Sequence, residues 1–368
     1  ISNATLEANQ GKSLKTLSHL VPNLFIPDYG SHLTSAFYIR GVGSRINAPA
    51  VGMYVDNIPY LDKSAFDFNF MDVERVDVMR GPQGTLYGRN AMGGIVRVFT
   101  KNPFYYRGTE VKMGYATGDN NRNVTVSHHH RLNDSFAFSA GGYYVGSDGF
   151  FKNDLTGKKV DGIQTVGGRL RGIYKANDRL TMDLSLNYDY CDEGAYPYYY
   201  AGSLTEKEPY ADYVGKISNN NESRYRRNML NTGLNISYDL GDVEIRSVTS
   251  FQNLCDRMFQ DQDFLPRDIY TMEQRQRINT LTEEVTARSK HGAIWNWVGG
   301  LNVTKQWLRT EGPVTFGKDG VAMLEQNINS VLPENPPMSI NFRGENLRMG
   351  GIFETPMLNL GVFHQSVF

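Results

Sequence analysis

Three features of the sequence predict a mainly β fold: an antiparallel barrel crossing a membrane, preceded by a small α+β body. Long stretches alternate apolar and polar residues with a period of two. The links between those stretches are short and long in turn, as on the two rims of an outer-membrane barrel. Aromatic residues such as Tyr188, Tyr190, Trp295 and Trp297 gather near the ends of the stretches, where an interfacial girdle would sit.

Composition agrees. Apolar residues make up 40% of the 368 and charged residues 21%, and the net charge of −1 gives no field for nucleic acid. The 37 glycines and 22 tyrosines suit strands and turns better than a helical core. No segment reaches the roughly 18 apolar residues of a spanning helix, although a barrel strand needs only about 10, apolar at alternate positions. The chain opens on Ile1 without a signal peptide and is expected to be processed or trimmed. Cys191 and Cys255 stand far apart in unrelated contexts, so their spacing indicates neither a disulfide framework nor a zinc site.

The first hundred residues read as the α+β body. SLKTLSHLVPNLFI (13–26) places Leu14, Leu17, Leu20 and Val21 at helical spacing until Pro22 ends the helix. Short strands follow at 36–43, 51–60, 73–81 and 93–100, and the pattern changes near Asn102–Phe104, giving expected domains of 1–104 and 105–368.

Between the last two of these strands lies a glycine cluster: Gly81, Pro82, Gly84, Gly88, Gly93 and Gly94. A phosphate loop needs G-x-x-x-x-G-K-[ST], but Gly88 is followed by Arg89 and Asn90, and G-x-G-x-x-G is also absent. The cluster is therefore read as conformational. Gly81-Pro82 sets a turn, Gly84 and Gly88 permit positive φ, and Gly93-Gly94 let backbones approach closely. Such a body suits the inside of a narrow lumen.

Beyond residue 105 the strands are expected at 109–118, 123–132, 135–146, 166–175, 179–190, 231–240, 243–254, 275–288 and 294–306, with 358–368 as another. In LTMDLSLNYDY (180–190), Leu180, Met182, Leu184, Leu186, Tyr188 and Tyr190 oppose Thr181, Asp183, Ser185, Asn187 and Asp189. A soluble β-sandwich would also alternate, but its strands average about 5 to 6 residues. His128, His129 and His130 cannot converge on one metal, because on a strand His129 opposes the other two. No nucleophile–base constellation or acid pair is present, so no enzyme and no cofactor are expected.

The stretch VERVDVMRGPQGTLYGRNAMGGIVRVFTKNP (73–103) resembles the plug signature of TonB-dependent outer-membrane receptors. FYIRGVGSR (37–45) and VGMYVDNIPY (51–60) resemble the preceding plug elements, and SDGFFKN (147–153) an early barrel segment. The resemblance implies a plug lodged in a barrel of about 22 strands. The strands expected here fall short of that, so the chain is expected to be part of a longer polypeptide.

Arg40 and Arg80 interrupt apolar strands, and a buried guanidinium needs a carboxylate partner. The resemblance implies that such plug arginines pair with glutamates on the barrel wall. Glu284 is the candidate, facing the lumen with Thr286 and Arg288 while Glu283 falls on the apolar side. Asp56 and Glu74 are expected to make structural hydrogen bonds. In the long loop GAYPYYYAGSLTEKEPYADY, Tyr196, Tyr198, Tyr199 and Tyr200 suit ligand capture by stacking. Arg45, Asn47, Asp62 and Phe66 in two plug loops would face the same vestibule, unless they serve ordinary loop packing.

The resemblance further implies energy-coupled import of a scarce nutrient. Ferric siderophore is the first expectation, with cobalamin, haem and glycan open. TonB with its inner-membrane motor, outer-membrane lipid and outer-membrane partner proteins are the expected partners. A docking subunit of a larger outer-membrane assembly, or a glycan importer of the same fold, is the alternative.

Overall fold

The computed structural model describes all residues except 12, 46–47, 85–89, 204–208, 291–294, 334–337 and 368. Six short strands precede residue 101: β1 Leu24–Phe25, β2 Tyr38–Ile39, β3 Val51–Val55, β4 Ile58–Tyr60, β5 Val73–Arg80 and β6 Gly94–Thr100. They form a two-stranded ribbon of β1 and β2 and a mixed sheet in the order β4-β3-β6-β5, with β3 and β6 parallel. Asp56 (φ 47°) and Asn57 (φ 70°) make the two-residue turn from β3 to β4, as Asp and Asn tolerate positive φ better than other side chains. Gly94 is where close packing forbids a side chain. Its φ is +147°, and a Cβ there would lie 2.3 Å from the Met79 carbonyl oxygen.

The helices are shorter than the pattern suggests. α1 (Asn3–Ala8) is capped by Ser2, whose side chain accepts the Thr5 amide. The helix expected from residue 13 up to Pro22 is one 3₁₀ turn at Leu14–Thr16 and one α turn, α2 (Leu17–Leu20). Val21, next to Pro22, is already extended (φ −113°, ψ 115°), which proline demands of its predecessor.

A thirteen-stranded antiparallel sheet follows. Its long strands are β7 Gly108–Ala116, β8 Asn121–Arg131, β9 Phe136–Ser147, β10 Ile163–Lys175, β11 Leu180–Gly194, β12 Arg224–Asp239, β13 Val243–Asp261, β14 Tyr270–Ser289 and β15 Asn296–Glu311. Three short pieces, β16 Val314–Phe316, β17 Leu347–Met349 and β18 Ile352–Glu354, accompany the long loop that carries α3 (Lys318–Asn329), and β19 Met357–Val367 pairs with β15. Each strand from β7 to β15 pairs with the next as a meander. Among the described residues the sheet does not close: β7 has only β8 beside it, and β19 only β15.

The two faces of this wall are inverted relative to a water-soluble sheet. Arg169, Ser185, Asp189, Arg227, Asn231, Gln252, Thr280 and Asn302 are buried, whereas Leu170, Leu184, Leu186, Leu301, Leu360 and Val362 are exposed. Leu184 is 54% exposed and its neighbour Ser185 only 2%. An apolar skin over a polar lining is the pattern of a lipid-embedded barrel.

The N-terminal body is seated against the polar face. Its core of Leu14, Leu17, Phe37, Met53, Phe66 and Val96 continues into Met229, Leu254 and Ile278 of the wall. Contacts fan across many strands: Glu7 with Lys112 on β7 (2.5 Å), Asp72 with His129 on β8 (2.8 Å), and Asn69 with Thr165 on β10 (3.0 Å). Ile58 at the β3–β4 hairpin fills the space left by Gly233 on β12, where a Cβ would lie 2.5 Å from its side chain. The histidine run divides as strand geometry requires. His129 faces the plug, while His128 and His130 stack outward against each other, centroids 5.9 Å apart.

Candidate functional site

The seat of the plug is built from charge. The β3–β4 turn presents Asp56, which accepts the Thr100 amide (2.9 Å) and hydroxyl (2.8 Å) from β6. Arg169 of β10 bonds the same carboxylate. Arg171, two residues on and facing the same way, stands 3.7 Å from it and bridges to Thr100 Oγ1 (2.9 Å) and to both oxygens of Asp183 (3.0 and 2.7 Å). Burial pushes the Asp56 carboxyl up, but Arg169 and Arg171 outweigh it and hold it below the usual carboxylate range.

A second clamp lies nearer the long loops. Arg227 on β12 is fully buried and donates to the plug carbonyls of Ser64 and Asp67 and to the Asp189 carboxylate of β11, which also accepts Tyr143. Beside it, Asp67 takes Lys15 (3.0 Å) and faces His32 Nε2 (3.6 Å). His32 Nδ1 meets Glu193 Oε2 of β11 at 2.6 Å, while Glu193 Oε1 accepts the Ser31 hydroxyl (2.9 Å) and the His32 amide (2.7 Å). Burial alone would lower the His32 imidazole, yet Glu193 and Asp67 raise it well above the ordinary histidine range. The Asp67 carboxyl, pushed up by burial, is brought below its usual range by His32 and Lys15.

The expected lock of Arg40 and Arg80 with Glu284 is not made among the described residues. Arg40 is exposed at a positive φ of 52°, and Arg80 is exposed and donates to the Pro22 carbonyl (3.2 Å). Glu284 faces the lumen beside Asn302, Arg246 and Arg97. At the β3–β4 turn the pairing runs the other way, with Asp56 of the plug meeting Arg169 and Arg171 of the wall. Glu283 lies on the outer face, taking the Ser247 (2.6 Å) and Thr249 (2.5 Å) hydroxyls of β13.

The vestibule candidates divide. Phe66 is wholly buried, its ring 5.2 Å from Phe37, and Asp62 caps the 3₁₀ turn Lys63–Ala65 through Ser64. Both take part in the plug's own packing. Tyr196 is buried against Tyr225 and Met258. Tyr198 bonds the Tyr29 carbonyl (2.7 Å) and lines a cavity of about 490 Å³ with Tyr29, His32, Phe151 and Glu193. Arg45 lies over the Tyr29 ring, 4.6 Å from its centroid. Tyr199 is exposed, and Tyr200 meets Tyr210 edge-on. Asn47 and Gly88 lie outside the described residues. A further cavity of about 420 Å³ lies among the long loops, lined by Asn153, Lys158, Asp192 and Arg224.

Fold and seat define a plugged outer-membrane β-barrel. Residues 1–95 match the family described as the TonB-dependent Receptor Plug Domain. The pesticin receptor of Yersinia pestis is 42% identical over 89 residues, 24% of this chain and 13% of that protein. A vitamin B12 transporter of Vibrio vulnificus is 32% identical over 125 residues, 31% of this chain and 19% of the transporter. Among solved structures, the ferric yersiniabactin uptake receptor of Y. pestis superposes on the whole chain with a TM-score of 0.71 at 18% identity. The ferripyoverdine receptor of the Pseudomonas aeruginosa outer membrane does so with a TM-score of 0.71 at 11%. The chain covers 60% and 49% of those two structures. Residues 1–95 are matched as a TonB-dependent receptor plug domain, and the whole chain shares the fold of these receptors. The relatives are named as receptors and transporters.

Proposed function

We propose that this chain serves the import of a scarce nutrient, a ferric siderophore first, with cobalamin, haem or a glycan as the other cargo classes. The ligand enters between the long loops and rests above the plug, near Tyr29, Arg45 and Tyr198. TonB, driven by the inner-membrane motor, then displaces part of the plug inward. The supporting observation is the character of the seat. A permanent stopper would be held by apolar packing throughout, whereas Asp56, Asp67, Arg169 and Arg227 face one another across the plug–wall boundary. Polar contacts can be exchanged for water when the plug moves, so two plug arrangements lie within reach of a modest bias.

The test is accumulation of radiolabelled ferric siderophores by iron-starved cells with and without the gene. Loss of one siderophore's uptake, dependent on TonB, is expected. Unchanged uptake of every siderophore, with loss of a co-purifying outer-membrane complex instead, would favour the docking alternative.

A further inference from the structure

His32, Cys191 and Glu193 meet where the plug touches the wall, although nothing in their spacing suggests it. One ligand atom from each lies within 4.8 Å of the other two. Cys191 and Glu193 are two apart on β11 and therefore share its inward face. Cys191 is 0% exposed and Glu193 6%. The carboxylate is already oriented: the Ser31 hydroxyl and the His32 amide hold Oε1, which leaves Oε2 aimed at His32 Nδ1. The ring is oriented from its other side, where Nε2 faces Asp67 Oδ2 at 3.6 Å, the carboxylate–histidine arrangement that commonly supports a metal-bound imidazole.

We propose that these three side chains bind a borderline-soft divalent cation of the zinc class, stapling the plug to the barrel wall. Imidazole, thiolate and carboxylate are a zinc donor set, whereas magnesium and calcium prefer oxygen alone. Bonds of about 2.0–2.3 Å in a tetrahedron need donors roughly 3.3–3.8 Å apart. The three donors lie within 4.8 Å of one another, so coordination needs the 2.6 Å His32–Glu193 hydrogen bond to open and Cys191 to close in by about 1 Å or less. Two carboxylates, Glu193 and Asp67, flank His32 at this buried point, at 2.6 and 3.6 Å from its two ring nitrogens. The cation replaces the proton shared by His32 and Glu193 and displaces the Cys191 thiol proton, so two protons leave for each ion bound and affinity rises with pH. The cavity of about 490 Å³ reaches His32 and Glu193, giving an entry path and room for water at the fourth position. The inference is independent of the cargo.

The full chain, tag-free in detergent and stripped with chelator, is titrated with zinc and, separately, with cobalt(II). The expected results are one zinc per chain, a thiolate-to-cobalt charge-transfer band, and no displacement by excess magnesium or calcium. Cys191→Ser removes the band and, like His32→Gln, weakens zinc binding at least about tenfold, while Cys255→Ser leaves both unchanged. Absence of stoichiometric zinc, absence of the band in the unaltered chain, or full retention of binding in Cys191→Ser overturns the proposal. The cobalt spectrum of the unaltered chain decides without relying on the folding of any variant.

Discussion

Asp56 is the residue on which the plug's seat turns, because one carboxylate joins β6 of the plug to two arginines of the wall. Asp56→Asn keeps the shape and leaves Arg169 buried without its charge partner, a change that costs roughly 3–5 kcal/mol when a buried pair is broken. Arg171 retains Asp183, so the lower end is expected, read as a drop in unfolding temperature in detergent. Folding lowers this carboxyl below its usual range, so the unfolded chain binds more protons in acid. Its contribution is therefore complete above the usual carboxylate range and disappears as pH falls through the depressed folded value. Below about pH 5 the unfolding temperature of Asp56→Asn should vary less steeply with pH than that of the unaltered protein. The sequence could place arginines and carboxylates on inward faces but not say what stands opposite. Arg169 and Asp56 are 113 residues apart, and only the docking of the two bodies pairs them. The same limit applies to Glu284, whose neighbours among the described residues are Asn302, Arg246 and Arg97. Gly94 was legible from the cluster itself, since φ +147° and the Met79 carbonyl at 2.3 Å leave no room for a Cβ. Gly94→Val is expected to destabilise by at least about 1–3 kcal/mol. Gly84, with nothing within 4 Å, should accept Ala within about 0.5 kcal/mol. Thermal unfolding of the two variants side by side checks both.

At the scale of elements, the period of two located every long strand, because lipid on one side and polar lining on the other leave a continuous stripe. It failed where that contrast ends. β12 begins at Arg224 rather than 231, β13 runs on to Asp261, and β14 starts at Tyr270. These extensions, such as RYRRN, carry polar residues on both faces and no apolar stripe. α3 was hidden inside a long loop, although Val321, Leu324 and Ile328 at helical spacing were the available signal. The skin of the wall gives a prediction of its own. Leu186 is exposed midway along β11, so Leu186→Arg puts a charge in hydrocarbon and should cost about 2–4 kcal/mol near the bilayer centre. Leu240→Arg, in the short turn after β12, should cost about 0–1 kcal/mol. Denaturant-dependent folding into liposomes distinguishes the two.

For the whole molecule the claim is that the first hundred residues are lodged against the polar lining of a membrane wall. Ile58 and Gly233 report on it most directly, being 175 residues apart in sequence and in contact across the seat. In a background carrying Cys191→Ser and Cys255→Ser, the pair Ile58→Cys and Gly233→Cys is introduced and oxidised in intact outer membranes. Rapid formation of the intramolecular disulfide, with neither thiol open to aqueous maleimide beforehand, is the predicted result. Two freely labelled thiols that never cross-link in the folded, membrane-inserted protein would contradict the account.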